Sequence, residues 1–258
     1  MINIIKVGGA VVEDAASLAT LLDEFVKLQG PKVLVHGGGR TATQVASQLG
    51  IESKMVGGRR ITDEQMLRVV TMVYAGLVNK NIVAQLQARG VNALGLTGAD
   101  LNLIRAHRRP ITPEGVDFGF VGDVESADGV RLHQLLASGI TPIVAPLTHD
   151  GQGHLLNTNA DTMAQTVATA LSIAADTSAE PIALTFCFEL PGVLRDASDP
   201  TSLIPRITEP EFRTLVAEGV VSGGMIPKLE NAFATLRAGV SCVRITNISD
   251  LQGGTLIC

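Results

Sequence analysis

Short apolar runs alternate along most of the chain with longer stretches in which apolar residues recur every three or four positions. The short runs fit buried strands, and the longer stretches fit amphipathic helices. Strands are predicted at 3–7, 32–36, 93–96, 141–144, 182–185 and 242–246. Helices are predicted at 15–28, 42–49, 63–74, 79–89, 132–137, 159–171, 209–218 and 227–238. Such alternation predicts an α/β fold around a mainly parallel sheet.

Two segments depart from the alternation. Residues 102–107 and 119–124 flank a turn-rich segment at 109–117, and this arrangement predicts an antiparallel hairpin. Further along, residues 149–153 predict a turn that leads into a short strand at 154–157.

A boundary between two lobes is predicted near residues 157–159, which gives an N-terminal lobe of 1–157 and a C-terminal lobe of 158–258. The sequence contains no long linker, internal repeat or low-complexity run around this point. We therefore expect the two lobes to share one continuous sheet or to pack closely.

Composition narrows the class of protein. The chain is 46% hydrophobic but only 3% aromatic, so its core must consist of aliphatic side chains, as in parallel sheets covered by helices. The net charge of −5 argues against a nucleic-acid partner, which usually requires a basic surface. Three cysteines without metal-ligand spacing imply no disulfide framework. Neither a signal peptide nor an uninterrupted membrane-spanning run is predicted, so we expect a soluble cytoplasmic protein with no membrane partner.

Two glycine segments carry the first chemical signal. The predicted first and second strands run into Lys6-Val7-Gly8-Gly9 and His36-Gly37-Gly38-Gly39. Glycine allows backbone N–H groups to approach an anion closely, and the start of the following helix adds positive potential. Tight turns alone would explain single glycines, whereas three in succession exceed that need and carry an entropic cost. The pair therefore predicts a phosphate ligand and phosphoryl transfer, although the spacing matches neither a Walker A loop nor GxGxxG.

Two polar clusters add candidates. Arg59 and Arg60 precede a helix that either Thr62 or Asp63 could cap, and a guanidinium there suits a carboxylate ligand or simply faces solvent. The segment Leu156-Asn157-Thr158-Asn159-Ala160-Asp161 contains more polar groups than one helix cap needs. Its aspartate falls in the first helical turn, where it could orient lysines or bind a metal.

A third glycine pair, in Ser222-Gly223-Gly224-Met225-Ile226-Pro227-Lys228, leads into another helix. A lysine near a helix N-terminus is disfavoured by the helix dipole. Its position is easier to explain if an anion binds there, the alternative being a lysine that points into solvent.

Taken in order, the motifs Lys-x-Gly-Gly, His-Gly-Gly-Gly, Arg-x-Thr, Asn-x-Asn-Ala-Asp and Gly-Gly-Met-x-x-Lys resemble those of the amino acid kinase family, and within it the acylglutamate kinases. The resemblance spans essentially the whole chain. It implies a three-layer αβα sandwich whose N-terminal lobe binds an N-acylated glutamate and dimerises, and whose C-terminal lobe binds ATP with Mg²⁺. The implied reaction is phosphorylation of the γ-carboxylate of N-acetyl-L-glutamate in arginine biosynthesis.

The resemblance also implies roles for individual residues. Lys6 and Lys228 match the lysines that stabilise the transferring phosphoryl group, and Asp161 matches the aspartate that positions them. The implied substrate-binding residues are Gly38, Gly39, Arg60 and Asn157. The implied nucleotide-binding residues are Gly8, Gly9, Glu189, Gly192 and Gly224. No protein residue is assigned as a metal ligand.

The chain departs from the family pattern between residues 186 and 193. Many relatives carry a Thr-Asp-Val-x-Gly segment there, whereas this chain reads Phe-Cys-Phe-Glu-Leu-Pro-Gly-Val, with Glu189 in place of the aspartate. This departure leaves the detailed nucleotide contacts open. It also leaves N-succinyl-L-glutamate as an alternative substrate, whose extra carboxylate would need a cation. The candidates are Arg59, Arg105, Arg108 and Arg109.

Other readings remain as alternatives. A different acceptor within the family (aspartate, glutamate, carbamate or UMP) fits the motifs less well, and a non-catalytic metabolite sensor would not need Lys6, Asp161 and Lys228 together. A dinucleotide-binding dehydrogenase is a further alternative, but neither opening glycine segment of this chain has the spacing that such an enzyme requires. We also expect a homodimer without arginine feedback, because the chain starts directly on its first strand at Ile2, without the extra N-terminal helix that links dimers into arginine-sensitive hexamers in this family.

Overall fold

The computed structural model describes residues 1–174, 180–196, 198–223 and 225–258. Its strands are β1 (Ile2–Val7), β2 (Lys32–His36), β3 (Met55–Val56), β4 (Arg59–Arg60), β5 (Ala93–Leu96), β6 (Ile104–Arg108), β7 (Gly122–Ala127), β8 (Thr141–Val144), β9 (Leu147–His149), β10 (Leu155–Asn157), β11 (Ile182–Phe188), β12 (Arg206–Ile207), β13 (Cys242–Asn247) and β14 (Thr255–Ile257). These strands include every strand that the apolar runs predict.

The helices are α1 (Gly9–Glu13), α2 (Ala15–Lys27), α3 (Gly39–Gln48), α4 (Glu64–Val70), α5 (Asn79–Gln87), α6 (Gly129–Ala137), α7 (Ala160–Ala174), α8 (Glu209–Ala217) and α9 (Met225–Arg237). A π-helical segment (Thr71–Val78) joins α4 to α5, and a 3₁₀ turn (Asp100–Asn102) precedes β6. The eight predicted helices are confirmed, with ends that differ by a few residues.

In the described residues, eight strands form a central sheet in the order β12-β14-β13-β11-β1-β2-β8-β5. From β13 to β5 every neighbouring pair is parallel, while β14 runs antiparallel to β13 near one edge. The predicted mainly parallel sheet is therefore confirmed. The sheet passes without interruption through both predicted lobes, which meet where β1 pairs with β11.

Alternating side chains of the sheet feed two separate cores. On one face Ile2 and Ile4 pack with apolar residues of α6, α7, α8 and α9. On the other face Ile5 and Val7 pack with residues of α2, α3, α4, the π segment and α5. Because successive side chains of a strand point to opposite faces, a central strand such as β1 buries residues on both faces, and four of its six residues are apolar. The result is the expected three-layer αβα arrangement.

A second sheet of four strands, in the order β10-β9-β6-β7, lies outside the central one. β6 and β7 pair antiparallel, which confirms the hairpin predicted around residues 109–117. β9 and β10 also pair antiparallel across the predicted turn at 149–153. The hairpin β3–β4 forms a small sheet of its own, which the pattern missed because each strand has only two residues.

The π segment bears on the prediction that no part of the chain spans a membrane. It joins the two helices predicted at 63–74 and 79–89 into one helical stretch, Glu64–Gln87, within the part of the chain that the structure describes. By length and composition alone this stretch could cross a membrane, which the sequence reading did not anticipate. Core helices pass the same test, and 44% of its most apolar window is buried in the fold, so it is weak evidence for a membrane span.

Candidate functional site

The two glycine segments predicted from the sequence lie against each other. They follow adjacent parallel strands, with Val7 of β1 in register with His36 of β2. The N–H of Gly37 donates to the carbonyl oxygen of Val7 at 2.9 Å. A Cβ atom on Gly37 would lie only 3.0 Å from the backbone nitrogen of Gly9. Glycine is therefore required at position 37 by the close approach of the two loops.

Each glycine segment opens a helix. Gly8 and Gly38 occupy the N-cap positions of α1 and α3, and neither has a side chain to satisfy the first backbone N–H groups. Oε1 of Glu13 already accepts from the N–H of Thr41 in the first turn of α3 at 2.6 Å, and the other first N–H groups and the partial positive charge of the helix starts are available to an anion. The predicted phosphate-binding geometry is thus physically feasible at this end of the sheet.

A cavity of 630 Å³ opens beside these loops, and we call it the larger cavity. Its lining brings together residues from both predicted lobes, including Gly8, Gly9, Gly39, Arg60, Phe188, Glu189, Gly192 and Lys228. A smaller cavity of 220 Å³ adjoins it and shares Gly39 and Arg60. The smaller cavity is lined by Gly38 and Asn157 as well, together with Arg59, Arg109 and Asp123.

The buried Lys6 and the partly exposed Asp161 form an ion pair near these cavities. The side chain of Lys6 is only 8% exposed, and its Nζ lies 2.7 Å from Oδ1 of Asp161. The ammonium approaches this oxygen outside hydrogen-bond geometry, so Oδ1 has no hydrogen-bond partner among the described residues although it is buried. The contact is therefore an attraction between charges, and the lone pairs of Oδ1 are not tied to one donor.

Asp161 is free to face the lysine because another residue caps its helix. Oδ1 of Asn159 accepts hydrogen bonds from the backbone N–H groups of Asp161 and Thr162, at 2.8 and 3.1 Å. The segment 156–161 contains more polar groups than one helix cap needs. The structure divides the work between Asn159, which caps α7, and Asp161, which pairs with Lys6.

Lys228 is the fourth residue of α9, and its ammonium lies 3.8 Å from the centre of the Phe188 ring. Although much of the side chain is exposed, loss of hydration lowers the pKa of Lys228. The nearby positive charge of Lys6 lowers this pKa further, while Asp161 and Glu189 raise it. Two lysines therefore converge on one aspartate.

Arg60 lies at the end of the β3–β4 hairpin and is buried. Its Nη2 donates to the carbonyl oxygen of Gly39 at 2.7 Å and to Oγ1 of Thr43 at 2.9 Å. Its Nη1 donates to Oγ of Ser53. The guanidinium is thereby fixed at the border of the two cavities, and a carboxylate gripped by both terminal nitrogens would have to exchange some of these bonds.

Asn157, at the end of β10, lies on the opposite side of the smaller cavity. Its Nδ2 donates to Oγ1 of Thr62 at 2.9 Å, which leaves its carbonyl oxygen to face other groups. The open question of the cap near Thr62 is also answered, because Oδ1 of Asp63 accepts from the N–H of Met66 and caps α4.

Of the arginines predicted to be available for an acidic acyl group, two lie elsewhere. Arg105 pairs with Glu125 at 3.7 Å and Arg108 with Asp117 at 3.2 Å, and both are about half exposed. These two candidates do not line the smaller cavity, because the pairing of β6 with β7 brings Arg105 to Glu125 and the loop between these strands brings Arg108 to Asp117.

Arg59 and Arg109 do line the smaller cavity. Arg109 forms a tight ion pair with Asp123, which faces the same cavity. Hydrogen bonding from Arg109 lowers the pKa of Asp123, against the opposing effect of burial. The cavity wall at this point is consequently a neutral pair.

The nucleotide residues implied by the resemblance fall into two groups. Glu189 and Gly192 line the larger cavity with Gly8 and Gly9. A Cβ atom on Gly192 would lie 2.5 Å from the Leu203 side chain, so the close packing of this loop requires glycine. Gly224 lies outside the described residues.

The sequence motifs assigned no role to several residues that contact the site. Ser53 and Thr43 hold Arg60, and the Tyr74 ring lies so near Gly38 that a Cβ atom there would be 2.9 Å from its Cδ1. The face of the Phe188 ring contacts the Lys228 ammonium. These contacts join segments far apart in the chain, and no local motif marks them.

Within the residues that the structure describes, no group of three or more His, Cys, Asp or Glu side chains could hold a metal ion. Asp161 and Glu189 are the acidic groups facing Lys228, the former with a buried oxygen outside hydrogen-bond geometry. Mg²⁺ is normally bound by one or two carboxylates together with substrate phosphates. The donor set fits a magnesium ion that arrives with a nucleotide.

His36 belongs to a buried network behind the glycine loops. Its Nδ1 lies 2.8 Å from the carbonyl oxygen of Gly37, so it must carry the proton and donate. Its Nε2 then accepts from Nδ2 of Asn79 at 3.1 Å, and the same amide donates to the carbonyl oxygen of Ile143 at 2.8 Å. This pattern accommodates the neutral imidazole, and burial lowers the pKa of His36 to about 4.

Comparison with known proteins places these features in context. A family model described as the amino acid kinase family matches residues 1–247. The protein named acetylglutamate kinase from Bacteroides fragilis is 59% identical over 258 residues, which covers 99% of this chain and 96% of that protein. The protein of the same name from Bacteroides thetaiotaomicron is 60% identical over 251 residues, covering 97% and 95%. Among solved structures, smu.665 from Streptococcus mutans UA159 superposes with a TM-score of 0.76 at 29% identity, covering 99% and 98%.

The buried neutral His36 predicts an acid-sensitive fold. Its pKa is lowered from 6.5 to about 4, so the unfolded chain binds a proton at pH values where the folded chain does not. Stability should be complete above pH 6.5 and should fall by about 3 kcal/mol as the pH drops to 4. Urea unfolding at several pH values measures this slope.

Two variants separate this contribution from others. His36→Asn should lower stability at pH 8 but flatten the slope between pH 6.5 and 4. His154→Gln removes an exposed histidine and should leave that slope unchanged. An unaltered slope in His36→Asn would contradict the assignment.

Proposed function

The chain belongs to the amino acid kinase family, and we propose that it transfers the γ-phosphoryl group of ATP to the γ-carboxylate of N-acetyl-L-glutamate. The observation that carries the proposal is the convergence of Lys6 and Lys228 on Asp161, beside two adjoining cavities that share Arg60 and Gly39. The activity belongs to arginine biosynthesis, as the names of the relatives support.

The chemistry needs charge more than it needs a base. A side-chain carboxyl has a pKa near 4, so the acceptor is already ionised at neutral pH. One carboxylate oxygen attacks the γ-phosphorus, the bond from that phosphorus to the β–γ bridging oxygen breaks, and ADP leaves with the bonding electron pair. Lys6 and Lys228 offset the negative charge on the phosphoryl oxygens during transfer. Asp161 holds the two ammonium groups near each other despite their repulsion.

The two cavities suit the two substrates. The larger cavity lies along the starts of α1 and α3, and there Gly8, Gly9, Glu189 and Gly192 would contact the nucleotide. We propose that Gly224, which lies outside the described residues, contributes to the same site. Mg²⁺, bound chiefly by the phosphates, would screen their charge when the nucleotide binds.

The smaller cavity suits the acylglutamate. Arg60 would bind the α-carboxylate, Asn157 would contact the acylamino group, and Gly38 and Gly39 would border the acyl pocket. We accordingly assign acylglutamate binding to the lobe 1–157 and ATP binding to the lobe 158–258. The reacting groups would meet at the ends of β1 and β11, where the two lobes join. We place the enzyme in the cytoplasm, where its biosynthetic substrates occur.

We propose acetyl as the acyl group because the relatives are named acetylglutamate kinase. At Arg109 the carboxylate of a succinyl group would have to displace Asp123 or lie next to its like charge, and burial of an unpaired carboxylate is costly. Arg59 lines the same cavity and forms no ion pair among the described residues, so it is the candidate cation that a succinyl group would have to use.

ADP release in the presence of Mg²⁺ tests the proposed reaction and its acceptor. We expect ADP formation with N-acetyl-L-glutamate, and little or none with glutamate, aspartate, carbamate or UMP. We also expect kcat/KM to be higher for acetylglutamate than for succinylglutamate. A preference of about tenfold for succinylglutamate, or about 1.4 kcal/mol, would reverse the acyl assignment. Absence of ADP with both acylated glutamates would refute the proposed function itself.

Variants of the charged residues test the assigned roles. Lys6→Ala and Lys228→Ala should lower kcat by about 10²–10³ with a smaller effect on KM, because their charges matter most during transfer. Arg60→Ala should mainly raise the KM for acetylglutamate. Lys27→Ala and Arg68→Ala remove exposed members of surface ion pairs and serve as matched controls. An Arg60→Ala enzyme with weakened ATP binding and unchanged acetylglutamate KM would overturn the assignment of the lobes.

We further propose that the enzyme is a homodimer. β5 is an edge strand of the central sheet, and Leu94 on it is partly exposed. Met72 and Leu77, on the neighbouring π segment, are 54% and 58% exposed. Strand edges and exposed apolar side chains favour association with a second copy of the chain.

Light scattering should give twice the chain mass of 27.0 kDa. Leu77→Asp should shift the protein towards the monomer, since the charge would be buried in the interface. Val130→Asp, which alters an equally exposed apolar residue on α6, should leave the dimer intact. A monomeric or hexameric parent protein would count against the proposal.

A further inference from the structure

Phe188 is the last residue of β11 and lies in the segment that departs from the family pattern. Its ring centre lies 3.8 Å from Nζ of Lys228 and 5.7 Å from Nζ of Lys6. Both distances fall within the range in which an ammonium is attracted to the face of an aromatic ring. Both lysines that face Asp161 therefore also face one aromatic ring.

Strand register explains why these groups meet. Lys6 of β1 is in register with Phe186 of β11, and side chains two positions apart on a strand share a face. Phe188 therefore lies on the same face of the sheet as Lys6. This face is covered by α7 and α9, which carry Asp161 and Lys228. Phe186 stacks beside Phe188, with ring centres 6.2 Å apart and planes inclined by 11°.

We propose that Phe188 is a positioning residue for phosphoryl transfer, whose ring face holds the Lys228 ammonium, and more weakly that of Lys6, beside Asp161. The inference rests on the proposed function, because it assigns Phe188 a part in that same reaction. It also gives a purpose to a segment that the resemblance left unexplained.

The ring holds the lysines in a way that a further carboxylate would not. Two ammonium groups repel each other, Asp161 attracts both of them, and Glu189 attracts Lys228 more weakly. Another carboxylate beside Lys228 would hold that lysine more tightly, but it would also repel the phosphates and compete for its N–H donors. The negative potential of an aromatic face attracts the ammonium without adding net charge. The donors of Lys228 thus remain available to the phosphoryl oxygens.

Kinetics separate this role from simple packing. Phe188→Leu keeps an apolar side chain but removes the aromatic face, and we expect kcat to fall by about 3- to 30-fold, the range of one cation–π contact. The KM for acetylglutamate should hardly change. Phe188→Tyr retains the aromatic face and should keep kcat within about twofold of the parent. Phe212→Leu removes one ring of the Phe212–Phe233 pair in the same core and serves as the packing control.

The pKa of Lys228 provides a second readout that requires no turnover. It can be measured by NMR of lysines labelled with ¹³C at Cε, with the signal assigned by its loss in Lys228→Arg. The other charged groups facing Lys228 are Lys6, Asp161 and Glu189, and Phe188→Leu leaves all three in place. Loss of the ring should lower this pKa, since the ring stabilises the charged form.

A trifluorinated phenylalanine at position 188 keeps the shape while weakening the negative potential of the ring face. It should shift kcat and the pKa of Lys228 in the same directions as Phe188→Leu, and it remains informative if the leucine variant fails to fold. Unchanged kcat and pKa in the fluorinated enzyme would overturn the inference. If the parent enzyme forms no ADP with any acylglutamate, the proposed function fails, whereas the pKa measurement still tests the contact between ring and lysine.

Discussion

The pairing of the buried Lys6 ammonium with Asp161 is the constraint around which this site is built. A buried lysine near the end of a central strand loses most of its hydration, and a nearby opposite charge offsets part of that cost. The partner must come from outside the sheet, because the neighbouring strands are apolar at this level. α7 supplies it in its first turn, where Asn159 has taken over the capping and left the Asp161 carboxylate free. Removal of Asp161 would leave the buried Lys6 ammonium without its partner, whereas removal of Lys6 would leave a partly exposed carboxylate that still faces Lys228.

Once this pair is fixed, the surrounding charges follow a consistent pattern. Positive groups and N–H donors concentrate where the glycine loops and α9 meet, and the partly exposed Asp161 is shared between two lysines. Arg60 is held by a backbone carbonyl and two hydroxyl groups, none of which carries a charge. Arg109 differs, because Asp123 neutralises it. The site therefore offers net positive charge for phosphates and carboxylates, and a neutral wall at Arg109.

Much of this arrangement could be predicted from the sequence, for physical reasons that differ between elements. β2 and β8 match their predicted bounds, because strands that are buried on both faces of a parallel sheet have a mainly apolar sequence. The edge strand β5 also matches its predicted bounds. The glycine loops were found because glycine is needed where Gly37 and Gly9 approach each other. β11 was predicted three residues too short, at 182–185, although Phe186, Cys187 and Phe188 are also apolar.

The missed features depend on contacts between segments distant in the chain. Arg109 and Asp123 are apart by 14 residues and meet only through the pairing of β6 with β7. Ser53 and Thr43 reach Arg60 from two different elements. The periodicity of apolar residues along a strand or helix carries no information on contacts between side chains of different elements. The sequence therefore indicates four candidate arginines for the acyl pocket but does not show which of them line it.

The π segment shows how a local irregularity can serve the site. Tyr74 and Asn79 both face the His36-Gly37-Gly38 loop, Tyr74 against Gly38 and Asn79 against His36. In an α-helix, residues five positions apart point in directions that differ by about 140°, so both could not face one loop. In a π-helix, hydrogen bonds join residues i and i+5, which brings these two positions onto one side. The wider turn at Thr71–Val78 thus allows one helix to support the glycine loop at two points, while Asn79 fixes the neutral tautomer of His36 behind it.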